Sequence, residues 1–356
     1  MASLEEHDFT YGDDKKTFYL AAGPSGGSLL IFVHGWPGIA ALWKPQLETF
    51  ASLGFRVVAP DMPGYGKSSA RINIEDYAQE NINLGMVALL EHLGRDKAVW
   101  IGHDWGCGAV WTFAAHYPEK TVAVAGLCVP YGLLELGLEE LVKTVDRKLY
   151  PQAEYPFGQW SYMNFYETDF EKATSFFDSD IRAFLRVLRL KGDASSYGQV
   201  AVTADVSKHG GWFGGQAKPD PAWRKIPIEH TVFENEGAFE EVATAMEKTG
   251  FWAADAWYKN HARNRVYSLE KWKNNGYLDM PVLFIHAKYD SVCATVDNPK
   301  SCANMRKYCR NLKENLVEAS HWVGEEKPAE TSAAIARWLV EECGEYWPAN
   351  WMSKTF

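Results

Sequence analysis

The stretch with the most chemical content is Gly102-His103-Asp104-Trp105-Gly106, which ends the apolar run Val99-Trp100-Ile101 and opens the helical pattern Cys107-Gly108-Ala109-Val110. Glycines two positions to either side of Asp104 permit a strand-to-helix turn tight enough to thrust the middle side chain out at a sheet's carboxyl edge, the geometry of a nucleophile elbow. The residue presented there is an acid. A serine would indicate acyl transfer, whereas a carboxylate displaces a leaving group at saturated carbon and becomes an alkyl ester. Turnover then needs something to hydrolyse that ester, which requires a histidine base oriented by an acid. Among 10 histidines, His321 in Ala319-Ser320-His321-Trp322 lies just past a strand-like run, and Asp290 in His286-Ala287-Lys288-Tyr289-Asp290 lies just past the run before it. Asp290 alone reads as a turn residue or helix cap, and His321 alone is unremarkable. Their placement at the same predicted sheet edge as Asp104 is what joins the three.

The elements that would put them there follow from the hydrophobic pattern. Residues 8–21 alternate around Tyr11-Gly12-Asp13-Asp14 as a strand pair. Ser28–Val33, Phe55–Pro60, Lys97–Gly102 and Val122–Val129 are short, largely apolar runs, as expected for strands buried on both faces of a parallel sheet. A helix is expected over Ile74–Leu93, with Gly94 as its stop, and another after Asp104 ending near Tyr117-Pro118. This alternation is the signature of a parallel sheet with right-handed crossovers. His34-Gly35-Trp36-Pro37-Gly38 follows the first such strand, where a loop's backbone N–H groups could face a developing oxyanion. Asp61-Met62-Pro63-Gly64-Tyr65-Gly66-Lys67-Ser68-Ser69 lacks phosphate-loop spacing and reads as a structural turn. From about Tyr131 to Tyr277 the pattern is helical and aromatic, with no buried strand. The sheet resumes at Met280–Ala287 and Asn315–Ala319 and closes with a helix over about Ala329–Glu342. The expected organisation is a core of residues 1–130 and 278–356 carrying a mostly helical cap of residues 131–277.

With 356 residues the chain is long enough for one large α/β domain with an insertion. Its net charge of −10 argues against nucleic acid or an anionic membrane as partner and in favour of a small uncharged substrate. The 15 tryptophans are consistent with an aromatic-lined cavity, although filling the core accounts for most of them. The six cysteines show no CxxC pair and no metal-ligand spacing with histidine, which indicates buried free thiols and no metal. Met1–Asp8 is acidic and polar, unlike a signal peptide, and no apolar run reaches the ~20 residues that span a bilayer. A cytoplasmic setting is expected.

The order nucleophile, acid, histidine is that of the α/β-hydrolases. Through His34-Gly35-Trp36-Pro37, Asp61-Met62-Pro63-Gly64-Tyr65-Gly66-Lys67-Ser68, Gly102-His103-Asp104-Trp105-Gly106 and Ser320-His321-Trp322, the chain resembles the α/β-hydrolase-fold epoxide hydrolases from about Leu29 to Leu339. That family carries two lid tyrosines that hold the epoxide oxygen. Ser161-Tyr162-Met163-Asn164-Phe165-Tyr166-Glu167 resembles the first lid motif and Ala256-Trp257-Tyr258-Lys259-Asn260 the second, which implies Tyr162 and Tyr258. Tyr155, Tyr166 and Tyr267 compete for the role. An opened epoxide leaves an alkoxide that needs a proton donor, and a phenol suits.

The resemblance therefore implies a cofactor-independent epoxide hydrolase with a role in detoxification, acting on a small apolar epoxide as a monomer or homodimer. Asp104 would attack an epoxide carbon while Tyr162 and Tyr258 bind the ring oxygen. His321, oriented by Asp290, would activate water, and the backbone N–H groups of Trp36 and Trp105 would hold the oxyanion. Haloalkane dehalogenases share much of the elbow; on that alternative Trp105 and a lid tryptophan, Trp160 or Trp257, would bind halide. A non-catalytic small-molecule receptor on the same scaffold is the alternative of another class.

Overall fold

The computed structural model describes residues 3–348, so Met1 and Ala2 of the acidic first segment lie outside the described residues. Strands β1 (Glu5–Tyr11), β2 (Lys15–Ala22), β3 (Leu29–Val33), β4 (Arg56–Pro60), β5 (Ala98–His103), β6 (Thr121–Leu127), β7 (Leu278–Ala287) and β8 (Cys309–Val317) form a single sheet. Their order is β1-β2-β4-β3-β5-β6-β7-β8. The β1/β2 and β2/β4 pairs are antiparallel, and every pair from β4 through β8 is parallel. The apolar runs of β3 and β5 are buried along their whole length, as strands covered on both faces must be. Helix α1 (Lys44–Ser52) and the closing helix Pro328–Glu342 cover one face through Leu47, Phe50, Ile335 and Trp338. Helices α2 (Gln79–His92) and α3 (Trp105–His116) cover the other through Met86, Leu89, Val110 and Phe113.

Two elements depart from the sequence pattern. The helix expected over Ile74–Leu93 is interrupted: Ile74–Tyr77 is a 3₁₀ turn, Ala78 is extended at φ −68° and ψ 145°, and only then does α2 begin. Side chains from far along the chain take the freed backbone groups, Asn264 Oδ1 accepting from Gln79 N at 2.9 Å and Asn260 Nδ2 donating to Ile74 O at 2.8 Å. Strand β8 begins six residues earlier than Asn315, at Cys309. As an edge strand with most of its residues exposed, it carries Lys, Arg, Asn and Glu instead of an apolar run.

Between β6 and β7 the chain forms helices and 3₁₀ turns, among them helices Ser161–Thr168, Phe170–Asp178, Ile181–Leu188, Glu236–Thr249 and His261–Lys271. The only strand-like pairing among its described residues is an isolated bridge from Leu190 to Thr231. Arg189, 1% exposed, anchors this segment over the sheet edge. Its guanidinium donates to the Glu325 carboxylate and to Pro37 O, and lies 4.1 Å from the Trp322 ring. Arg189→Ala is expected to strand the half-buried charge of Glu325 and lower stability by about 3–5 kcal/mol, the usual cost of breaking a buried pair. The check is a lower urea midpoint at unchanged slope, and an unshifted midpoint would show that the pair does not hold the segment down.

Candidate active site

Strands β5, β7 and β8 end at the same edge of the sheet, and each delivers one of the three residues singled out in the sequence. Asp104 follows β5 directly, with φ 54° and ψ −123°, a conformation that costs a non-glycine residue roughly 1–3 kcal/mol. The fold enforces it by close approach on both sides. A Cβ on Gly106 would lie 2.1 Å from Val33 O, and one on Gly35 would lie 2.4 Å from Asp104 Oδ1. Only glycine lets α3 and the His34–Gly38 loop come this near the elbow.

That loop is keyed to the core by His34. Buried and held neutral, its pKa pushed down to about 4 by desolvation, the ring donates from Nδ1 to Gly35 O at 2.9 Å and accepts at Nε2 from Met62 N at 2.9 Å. The turn expected over residues 61–69 is built on buried Asp61, which accepts from Ala40 N and Lys67 N, each at 2.8 Å. The loop thereby brings Trp36 N to 2.6 Å from Asp104 Oδ1, while Trp105 N–H also hydrogen-bonds the Asp104 carboxylate. Two backbone donors converge on one carboxylate. Burial opposes the charge on Asp104, but His321 above all, with the Trp105 N–H, outweighs it and holds its pKa below the usual value.

His321 lies between the two acids. Its Nδ1 is 2.6 Å from Asp290 Oδ2 and its Nε2 3.4 Å from Asp104 Oδ2. Asp290 is itself held by Val292 N at 3.0 Å and Cys293 N at 2.8 Å on Oδ1. Burial alone would lower the His321 pKa, yet the Asp290 and Asp104 carboxylates together raise it well above 6.5, which favours the protonated ring in the resting site. Its backbone is fixed as well. His103 Nε2, on a ring kept neutral by burial, donates to His321 O at 2.8 Å, and Cys128 Sγ donates to the same oxygen at 3.0 Å. Glu326 accepts from Ser320 N at 2.8 Å and Ser320 Oγ at 2.6 Å.

Asp104 and His321 open into a cavity of about 200 Å³ walled mainly by aromatic and aliphatic groups, including Trp36, Phe184, Trp212 and Trp322. Tyr162 and Tyr258 are on that wall, from the helix Ser161–Thr168 and the 3₁₀ turn Ala256–Lys259, with ring centroids 5.7 Å apart. Neither hydroxyl hydrogen-bonds to another described residue. Burial raises both phenol pKa values well above 10, aided for each by the Asp104 charge, so both remain proton donors at neutral pH. The competing tyrosines are otherwise occupied. Tyr166 donates to Asp255 Oδ1 at 3.0 Å, Tyr267 accepts from Asn83 Nδ2 at 3.2 Å and stacks on His116, and Tyr155 packs on Tyr150.

The tryptophans of the halide-binding alternative do not face this cavity. Trp257 Nε1 donates to Pro63 O at 3.0 Å, and Trp105 and Trp160 are absent from the wall, their indole nitrogens buried without a partner. All six cysteines are free and buried. Among the described residues, three clusters of side chains could hold a metal by proximity, one of them Asp290, Cys293 and His321, although no zinc-type spacing marks them in the sequence. Among the described residues, no helix is long and apolar enough to cross a membrane.

Sequence reasoning missed Asp255, Arg189 and Glu326. Asp255 left one signal, an acid set among small apolar residues in Ala253-Ala254-Asp255-Ala256. Arg189 and Glu326 left none, because their partners are distant in the chain.

An elbow bearing an acid, with a second acid and a histidine at the carboxyl edge of a mostly parallel sheet, is the arrangement of the α/β-hydrolase fold. The chain belongs to the alpha/beta hydrolase fold family, whose pattern it matches over residues 28–328. Within that family it is similar to epoxide hydrolases. It is 31% identical over 331 residues to the mouse (Mus musculus) bifunctional epoxide hydrolase 2, matching 89% of this chain and 52% of that protein. It is 27% identical to epoxide hydrolase A of Mycobacterium tuberculosis, over 90% of this chain and 92% of that one. The chain spans about half the length of the mouse, rat and pig relatives it matches. The crystal structure of epoxide hydrolase A from Mycobacterium thermoresistibile superposes with a TM-score of 0.75 at 26% identity, covering 95% of this chain and 99% of that one.

Proposed function

We propose that this protein hydrolyses epoxides to vicinal diols through a covalent hydroxyalkyl ester on Asp104, with residues 131–277 acting as a cap over the site. The observation that carries the reading is the pair of unengaged phenols, Tyr162 and Tyr258, on the cavity wall that also holds the Asp104 carboxylate. Asp104 Oδ2 attacks an epoxide carbon from the back and the ring C–O bond breaks. The alkoxide takes a phenolic proton, so no charged leaving group departs. Oδ1 stays under the Trp36 N–H, with the Trp105 N–H on the same carboxylate, and becomes the ester carbonyl oxygen.

The second step follows from the charge change in the first. Esterification removes one of the two carboxylates that raise the His321 pKa, so that pKa falls; the ring gives its proton, through solvent, to the tyrosinate left by the first step and becomes a base. His321 Nε2 then takes a proton from water, whose oxygen adds to the ester carbonyl. The oxyanion forms where the Trp36 N–H already points; collapse breaks the bond from carbonyl carbon to Oδ2, which takes the proton from His321 and leaves in the diol, and the Asp104 carboxylic acid left behind returns its proton to His321. Asp290 keeps the imidazolium oriented.

The pH dependence has a definite sign. Asp104 stays ionised down to acid pH because its pKa is lowered, so ester formation should be flat as pH falls. Ester hydrolysis should slow, because His321 is useful only when neutral and its remaining partner, Asp290, favours the proton. Going from about pH 8 to about pH 5.5 should therefore slow hydrolysis roughly tenfold or more and raise the steady-state ester fraction, measured by rapid quench and mass spectrometry. A parallel fall of both steps would contradict the assignment.

The reading itself is tested by measuring diol formation from styrene oxide beside halide release from a bromoalkane. Diol without halide is expected; halide release without diol would favour the dehalogenase alternative, and turnover of neither would favour a receptor. A cytoplasmic location and a role in detoxification fit a protein with these relatives and without a membrane-crossing helix among its described residues.

A further inference from the structure

Asp255 is 0% exposed and lies at the junction of three pieces of chain. Its Oδ1 accepts from Trp36 Nε1 at 2.7 Å and from Tyr166 Oη at 3.0 Å, and its Oδ2 accepts from Thr174 Oγ1 at 2.8 Å. No lysine or arginine pairs with it among the described residues. A leucine would fill such a place without the cost of burying a carboxyl, so the acid is held there for what it binds.

What it binds leads to the reacting atoms in two ways. Trp36 carries the backbone N–H that holds Asp104 Oδ1 at 2.6 Å, and its indole is the handle by which Asp255 grips the loop. Tyr166 stacks on Tyr258 at 4.5 Å with an interplanar angle of 14°, so the hydroxyl bond from Tyr166 to Asp255 sets the surface on which Tyr258 rests. Asp255 also stands three residues before Tyr258, at the N-cap of the 3₁₀ turn that carries it.

We propose that Asp255 is a positioning residue, a buried acceptor in the helical segment that fixes both the oxyanion donor Trp36 and the proton donor Tyr258 against Asp104. The inference rests on the epoxide-opening reading given above. On this view the helical segment does more than cover the cavity, since one of its side chains completes the geometry of the core's own oxyanion loop. The larger consequence is for ester hydrolysis, where charge develops on the oxygen that Trp36 N–H must meet.

The test follows ester formation and ester hydrolysis separately, with styrene oxide as the probe. Asp255→Leu leaves the indole and Tyr166 hydroxyl without an acceptor, and should slow ester hydrolysis at least tenfold with KM within threefold of wild type. Asp255→Asn keeps an oxygen for Trp36 and Tyr166 and should restore hydrolysis to within about threefold. Trp36→Phe removes the indole N–H while sparing Asp255, and should slow hydrolysis like Asp255→Leu, a check that stands even if the latter fails to fold. Hydrolysis within threefold of wild type in Trp36→Phe or in folded Asp255→Leu, whatever their melting temperatures, reduces Asp255 to packing and overturns the proposal. So does an Asp255→Asn protein as slow as Asp255→Leu. Absence of any ester in wild type would instead defeat the reading of the function on which this rests.

Discussion

His321→Gln is expected to turn the protein into a covalent trap for its substrate. The variant keeps Asp104 under the N–H of Trp36, and the tyrosines on the cavity wall are untouched, so the ester should still form. Glutamine can offer an N–H toward Asp290 but no basic nitrogen toward water. Hydrolysis loses a general base, a contribution of about 10²–10⁴-fold. Incubation with styrene oxide should therefore add the mass of one substrate molecule to the intact protein, on the peptide containing Asp104, with turnover reduced by at least about 10²-fold. Protein that stays unmodified would mean that His321 is needed to make the ester, which the two-step account excludes.

The second large effect concerns the leaving oxygen. Tyr162→Phe together with Tyr258→Phe removes both phenolic donors and leaves the ring packing in place. Ester formation should fall by about 10³-fold or more, because the alkoxide would have to develop unprotonated in an apolar cavity. Each single change should cost about tenfold to 10²-fold, since the remaining phenol can still donate. The binding of a neutral amide to the double variant should weaken in step, which titration calorimetry would detect. Unchanged ester formation would return the role to another group. Tyr166 is the least suited replacement, as its hydroxyl is already committed to Asp255.

How much of this was legible in the sequence depends on whether the signal was local. Asp104 could be read because a tight strand-to-helix turn demands glycines at fixed offsets, and the structure shows Gly106 within a Cβ's reach of Val33 O. The buried strands could be read because burial on both faces requires continuous apolar residues. Strand β8 was shortened because an edge strand needs no such run, and the break at Ala78 was hidden because Asn260 and Asn264, nearly 190 residues away, cap it. Tyr162 and Tyr166 sit one helical turn apart and are both buried, so spacing could not choose between them. A hydrogen bond between residues 166 and 255 separates them. The grip of Asp255 on Trp36 spans 219 positions and left only the oddity of an acid among alanines.

The most direct measurement of the central claim is a single turnover with enzyme in excess over styrene oxide in water enriched in oxygen-18. If the diol arises by attack of Asp104 and hydrolysis of its ester, the product carries an oxygen that was in the carboxylate, and the label enters Asp104. Mass spectrometry of the peptide containing Asp104 should show a gain of about 2 mass units, while the diol formed in that first turnover carries no label. Label in the diol and none in Asp104 would mean that water attacks the epoxide directly, and the covalent mechanism would be wrong.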